Sequence, residues 1–397
     1  MKILVWQWGR RGAGPRFAAC LAEALRRRPG IEVALSLSRD AEIMAAADAP
    51  RCEMPVRTYR GPVACLARLV TAPLALPFLV ARLRRLRPDL AICAMPGLLD
   101  LLMAVALRLI GTRLVVIVHD ADCHPGDGLP LQMRLQRMLC RCADGLAVLS
   151  AHVGGRVRAQ GLAGMRGRPL IAFEHPPFAF APSGFAMPPA DRLPGPPRLL
   201  CFGRLLPYKG LDLLADALAL LPPGALAVRV VGCGPESPAL DALRAIPGVR
   251  VENRWVPEAE IGALLAWSDA IVLPYREASQ SGVAAAARAA GRPVIATNVG
   301  GLGEQLATAP LARLCKADPA SLAEAIRAWT AAPRVALPPI DADAAWRHAA
   351  SGLLQAIASA VPPRGGQPPW RRLGWMRRPI AGAFRPRSGL AGHGGLR

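Results

Sequence analysis

The chain alternates short apolar runs with segments of helical spacing, and it does so twice. In the first half KILVWQW, IEVALSLS, DLAICAM, RLVVIVHD and GLAVLS have the length of strands, and residues 15–28, 100–110 and 131–142 read as the helices between them. Strand and helix in turn predict a parallel sheet with helices on both faces. The second half repeats the pattern: RLLCFGR, LAVRVVG, VRVENRW, AIVLPY and PVIATN read as strands, with helices over 210–221, 237–246, 258–267 and 281–290. Residues 174–197 hold eight prolines and can form neither a helix nor a central strand, so the chain divides there. The expected fold class is α/β, with two Rossmann-like domains over 1–180 and 198–340 and a Pro-rich linker over 181–197. A last helix is expected within 341–361, near 344–360, and the Pro/Gly/Arg stretch 362–397 reads as disordered.

Residues 62–81, PVACLARLVTAPLALPFLVA, break this rhythm. They are apolar for nearly the length of a bilayer span, but Arg68, Pro73 and Pro77 interrupt them and a strand-like run follows. Two readings stay open: a buried or half-exposed helix of the first domain, or an in-plane membrane contact flanked by Arg82 to Arg87.

Length and composition narrow the class. At 397 residues and 52% hydrophobic content the chain suits two cores rather than one. Ten scattered cysteines without a C-x-x-C pair argue for a reducing cytoplasm and against a disulfide framework or a zinc site. Residues 1–8 contain Lys2 and two tryptophans and lead straight into GRRGAG, which reads as a first strand rather than a signal peptide. A formal charge of +21 invites a nucleic-acid reading. Aromatics are only 5%, however, and no RRM, KH or zinc-finger pattern is present, so nucleic acid is not an expected partner. Arg82, Arg84, Arg85 and Arg87, with eight arginines and no acid in 362–397, fit an anionic membrane surface at least as well, or a plainly arginine-rich composition. The expected place is cytoplasmic, with peripheral attachment to the inner face of the plasma membrane added by the first of those readings.

The candidate chemistry lies in the loops at the strand ends. Only three of the 49 basic residues are lysines, and Lys209 sits in one such loop, GRLLPYKG. There Gly203 lets backbone approach a ligand, Arg204 can fork onto phosphate oxygens, and Lys209 adds a point charge at a helix start that already favours anions. Two cations and a helix dipole suit a leaving diphosphate; a solvated, helix-capping loop is the plainer alternative. Gly232 and Gly234 in GCGPE give a tight turn beside a nucleotide base, without a full dinucleotide fingerprint. In PYREASQSGV, Glu277 reaches the rim to hold sugar hydroxyls, while Ser281, Gly282 and Val283 offer small side chains and amides to a phosphate. Gly12 and Gly14 of the GRRGAG loop can admit donor phosphate or acceptor. His119 ends VVIVHD, where it is either structural or turned to a cleft. Asp120 and Asp122 spell D-x-D, but Arg204 and Lys209 can already neutralise a diphosphate, so no metal and no cofactor are expected.

In this order, G-R-x-x-x-x-K-G, V-x-G-x-G-P-E, N-x-W-V, Asp269, the Glu277 loop and P-V-I-A-T-x-x-G-G resemble the GT-B glycosyltransferases of family GT4, the glycosyl transferases group 1 class. The match is specific over about 198–305 and looser in the first domain. The resemblance implies a GT-B fold whose parallel sheets face each other across a cleft, with an acceptor-side first domain and a second that binds the nucleotide sugar. It implies a retaining, metal-independent transfer from a nucleotide-diphosphate sugar, a co-substrate rather than a cofactor, to a glycan or lipid-linked acceptor. Arg204, Lys209, Glu277 and His119 would carry catalysis, with the amides of Ser281, Gly282 and Val283 on phosphate. The family's usual second glutamate, a ribose ligand eight residues after the first, is here Ala285, which leaves the ribose to Glu304 or the donor more weakly held. A nucleotide-sugar epimerase of the same architecture and a non-catalytic, membrane-associated scaffold stay as alternatives.

Overall fold

The computed structural model describes residues 1–127, 130–164, 168–180, 195–307, 309–332 and 340–361. The tail 362–397 and most of the linker 181–197 lie outside the described residues. The apolar runs pair into two six-stranded sheets in which all neighbours are parallel. The first holds β1 (Lys2–Gln7), β2 (Glu32–Leu37), β3 (Leu90–Cys93), β4 (Arg113–Val118), β5 (Gly145–Val148) and β6 (Leu170–Ala172), in the order β2-β1-β3-β4-β5-β6. The second holds β7 (Arg198–Arg204), β8 (Ala227–Cys233), β9 (Val249–Asn253), β10 (Ala270–Leu273), β11 (Val294–Thr297) and β12 (Ala312–Cys315), in the order β12-β11-β10-β7-β8-β9. Each sheet therefore reverses its winding once, between β1 and β3 and between β7 and β10, and ligands of such folds bind outside the strand ends at these points.

Five helices cross over the first sheet: α1 (Ala13–Arg26), α2 (Gly61–Leu86), α3 (Asp100–Leu109), α4 (Pro130–Cys142) and α5 (Ala151–Ala159). On the second lie α6 (Leu211–Ala219), α7 (Pro238–Ala245), α8 (Glu258–Trp267), α9 (Gly282–Ala289), α10 (Gly300–Leu306) and α11 (Pro319–Ala331). The central strands are buried on both faces, the edge strands β6, β9 and β12 less so, and each sheet carries one apolar cluster per face. The last helix of the described residues, α12 (Ala342–Ala360), returns to the first sheet. Its Trp346, Leu353, Leu354 and Ile357 enter the cluster built on Phe17, Leu21 and Leu25 of α1, and the Trp346 indole donates to the Pro177 carbonyl at 2.8 Å.

The segment that broke the sequence rhythm is helix α2, with Pro73 and Pro77 inside it. One side packs Leu69, Leu76, Leu79, Val80 and Leu83 against the core of the first sheet. The other side is exposed. Among the described residues α2 is the one helix long and apolar enough, by length and composition, to cross a membrane.

Candidate functional site

The two winding reversals face each other across a cleft. A cavity of about 560 Å³ lies there, a volume suited to a drug-sized or nucleotide-sized ligand. From the first domain come Gln7 at the end of β1, the Gly12–Gly14 turn into α1, and the loop after β4 with His119, Asp120, His124 and Asp127. From the second come Gly203 and Arg204 at the end of β7 with Lys209 beyond it, Gly232 near the end of β8, and the start of α9 after β10. Phe178, Phe180, Trp255 and Ile261 supply apolar wall.

The cationic corner follows from the local fold of GRLLPYKG. Pro207–Lys209 make a 3-10 turn, and Lys209 is held over two rings, its Nζ 3.6 Å from the Tyr275 ring centre and 4.7 Å from that of Tyr208. Burial and the neighbouring Arg204 charge lower the Lys209 ammonium to about 7, from 10.5. Such a lysine lacks a matching anion and gains charge when one arrives. Arg204 donates to the Tyr208 hydroxyl at 2.9 Å and pairs across the cleft with Asp127. Facing them, the Ser281 hydroxyl caps α9 by accepting from the Ala284 amide. Gly282 and Val283 begin that helix, so their amides have no acceptor within it.

The histidines differ in state. His119 is buried, its Nε2 2.8 Å from the Ala94 carbonyl, so that nitrogen carries the proton and Nδ1 accepts from the Gln280 amide at 3.3 Å. Burial lowers it to about 4, which keeps the ring neutral near pH 7. His124 stacks on Tyr208 at 4.7 Å between ring centres, with Nε2 3.1 Å from Asp120 and Nδ1 3.6 Å from Glu277. Burial works against its charge, but the Asp120 hydrogen bond and the two carboxylate charges outweigh it and raise the imidazole above its ordinary value. One ring thus links a carboxylate of each domain.

Family models describe the same two halves: "Glycosyl transferase 4-like domain" matches residues 12–172 and "Glycosyl transferases group 1" matches 196–331. The chain belongs to the GT4 group of GT-B glycosyltransferases. It is 42% identical over 112 residues to a D-inositol 3-phosphate glycosyltransferase of Jonesia denitrificans, covering 25% of this chain and 26% of that protein. It is 34% identical over 122 residues to a GDP-mannose:glycolipid 4-beta-D-mannosyltransferase of Xanthomonas campestris pv. campestris, covering 28% and 32%. The chain thus spans about a quarter to a third of the length of these curated relatives. Among solved structures, a sucrose-phosphate synthase from Thermosynechococcus elongatus shares the fold with a TM-score of 0.61 at 17% identity, over 95% of this chain and 97% of that one.

Within this GT4 chain the cavity gathers Arg204, Lys209, His119, Gly12, Gly14, Gly203, Gly232, Ser281, Gly282 and Val283. Other expectations are corrected. Glu304 does not face the cavity: its carboxylate accepts from the amides of Ala151 (2.6 Å) and His152 (2.8 Å), capping α5 of the other domain, so it is spent on holding the halves together. The Ser281 amide is also spent, donating to Gln305 Oε1 at 2.8 Å, so of the three amides expected on phosphate this one is committed elsewhere. Gly234 lies outside the lining; an added Cβ would stand 1.9 Å from the Leu205 carbonyl, so close packing requires it there. Glu277 is half-exposed at the rim and meets the cavity through His124. Asp122 of the D-x-D pair points to Arg156 and Gln160, away from Asp120's partner His124. Ala285 is buried in a cluster with Phe178, while Ala286 lines the cavity.

Sequence reading placed Asn253 to Val256 beside the nucleotide, and Trp255 and Val256 of that loop line the cavity, but it missed Gln7, His124, Asp127 and the Phe178, Phe180 and Ile261 part of the wall. His124 and Asp127 follow His119-Asp120 closely, and that proximity was the one signal available for them. Phe178 and Phe180 sit among prolines assigned to a boundary, which hid their role as wall.

Proposed function

We propose that this protein is a retaining glycosyltransferase that moves a hexose from a nucleotide-diphosphate sugar to a hydroxyl of a glycan or lipid-linked saccharide, without a metal. The observation that carries the reading is the convergence of Arg204, Lys209 and the amide-bearing start of α9 on one cavity at the second sheet's winding reversal. Two cations and a helix N-terminus suit a departing diphosphate. The glycosidic bond from C1 to the diphosphate oxygen breaks as the acceptor oxygen bonds to C1 on the same face. The acceptor's proton passes to that diphosphate oxygen. The protein's part is placement and charge stabilisation, with Glu277 on donor hydroxyls at the rim. His119, neutral and buried, serves as a fixed polar contact in the cleft.

The test is a product assay with a panel of nucleotide sugars and saccharide acceptors, with and without magnesium. Lys209→Ala and Glu277→Ala should each lower turnover by about 100-fold or more while the fold stays intact by circular dichroism. Near-normal turnover in both overturns the assignment. An isomerised donor formed without acceptor replaces it with an epimerase, and failure to bind any nucleoside diphosphate replaces it with a scaffold.

A further inference from the structure

Helix α2 presents an outward stripe that no other described residue covers. Val63, Leu66, Val70, Leu74 and Phe78 are 83%, 64%, 71%, 74% and 80% exposed. Their spacing of three and four places them on one face, a strip roughly 23 Å long at 1.5 Å per residue. Cations mark both ends. Arg85 lies eleven residues beyond Leu74, three full turns, so it continues the same face; Arg84 and Arg87 are exposed beside it. At the other end a surface recess of about 390 Å³ at the first turns of α2 is lined by Arg57, Arg60 and Arg68 together with Asp40, which pairs with Arg60, so the group keeps a net positive charge.

We propose that this face docks the protein in the plane of an anionic lipid bilayer, with the stripe in the acyl boundary and the two arginine groups on lipid phosphates. Charge complementarity selects this occupant: apolar side chains flanked by cations match an interface that is oily below and negative above. A second copy would bring the same arginines and another formal charge of +21 against the first. The helix lies flat rather than spanning. Its inner side covers the core of the first sheet, and Pro73 and Pro77 cannot donate to the carbonyls of Leu69 and Pro73, which a span would strand in hydrocarbon.

The inference does not rest on the proposed reaction, and its test reads no turnover. The full chain is sedimented with vesicles of phosphatidylcholine alone and of equal parts phosphatidylcholine and phosphatidylglycerol. Binding should require phosphatidylglycerol and weaken with salt. A Leu74→Glu/Phe78→Glu variant, changed only at exposed positions, should melt like the parent and lose about 100-fold in partitioning. Arg84→Glu/Arg85→Glu should lose binding on anionic vesicles more than it changes the residual on neutral ones. Vesicle binding that survives the stripe variant, absence of binding by the parent, or a dimer dissolved by the stripe variant would each overturn the proposal.

Discussion

At the scale of single residues, Lys209 holds the most consequential charge. Buried on two tyrosine rings and lowered to about 7, it is mostly neutral near pH 8 in the free protein. A bound diphosphate restores its ordinary affinity for protons, so binding should take up a proton at about pH 8 and none at about pH 6, where the amine is already charged. Titration calorimetry with a nucleoside diphosphate, in two buffers of different ionisation enthalpy, measures that uptake. Lys209→Arg, permanently charged, should abolish it; uptake that persists in the variant would place the proton on another group. The sign for stability follows the same value. Above about 7 the unfolded chain keeps a proton that the folded one sheds, so this residue's contribution to stability grows as pH rises from there.

At the scale of elements, the strand-to-helix turns divide into those fixed by contact and those fixed by backbone angle. A Cβ on Gly232 would stand 1.7 Å from the Gly203 carbonyl oxygen, a backbone atom that cannot give way. Gly12, the N-cap of α1, has open space but a φ of +82°. Gly12→Ala should cost about 1–2 kcal/mol, and Gly232→Ala, which must displace the end of β7, should cost more, about 3 kcal/mol or above. Denaturant unfolding ranks the two, and equal losses would refute the distinction. These turns were legible in the sequence because RLLCFGR, AIVLPY and their like announce buried strands, and glycine, lysine or serine follows directly. Elements with mixed signals were not. α5 carries Gly154 and Gly155, β6 is three residues long, and β12 has Arg313 and Leu314 exposed on an edge. Partnerships across the cleft were also hidden. Glu304 finds Ala151 and His152, and His124 finds Glu277, through the docking of two domains, and no local spacing encodes that docking.

For the whole molecule, the halves are joined by polar contacts across the cleft and by α12. The Ser150 hydroxyl donates to the Ser279 carbonyl at 3.0 Å, the Trp255 indole to Glu42 at 3.1 Å, and Arg16 pairs with Glu258. Helix α12 adds apolar cover to a domain begun more than 300 residues earlier. Trp346→Ala should therefore cost about 3–5 kcal/mol, and the loss should appear in the first domain. Thiol labelling read by mass spectrometry should find Cys20 of α1, which packs on the same cluster, more reactive, and Cys201 of β7 unchanged. Equal protection of Cys20 in both proteins would refute the coupling. The late arrival of α12 also bears on biosynthesis. The ribosome finishes β6 at Ala172 and still has to make everything up to Val361, roughly 10–40 s at usual elongation rates, before the lid on Phe17, Leu21 and Leu25 exists. Through that interval the nascent first half waits with an oily surface bare, a natural client for chaperones until its own last helix arrives.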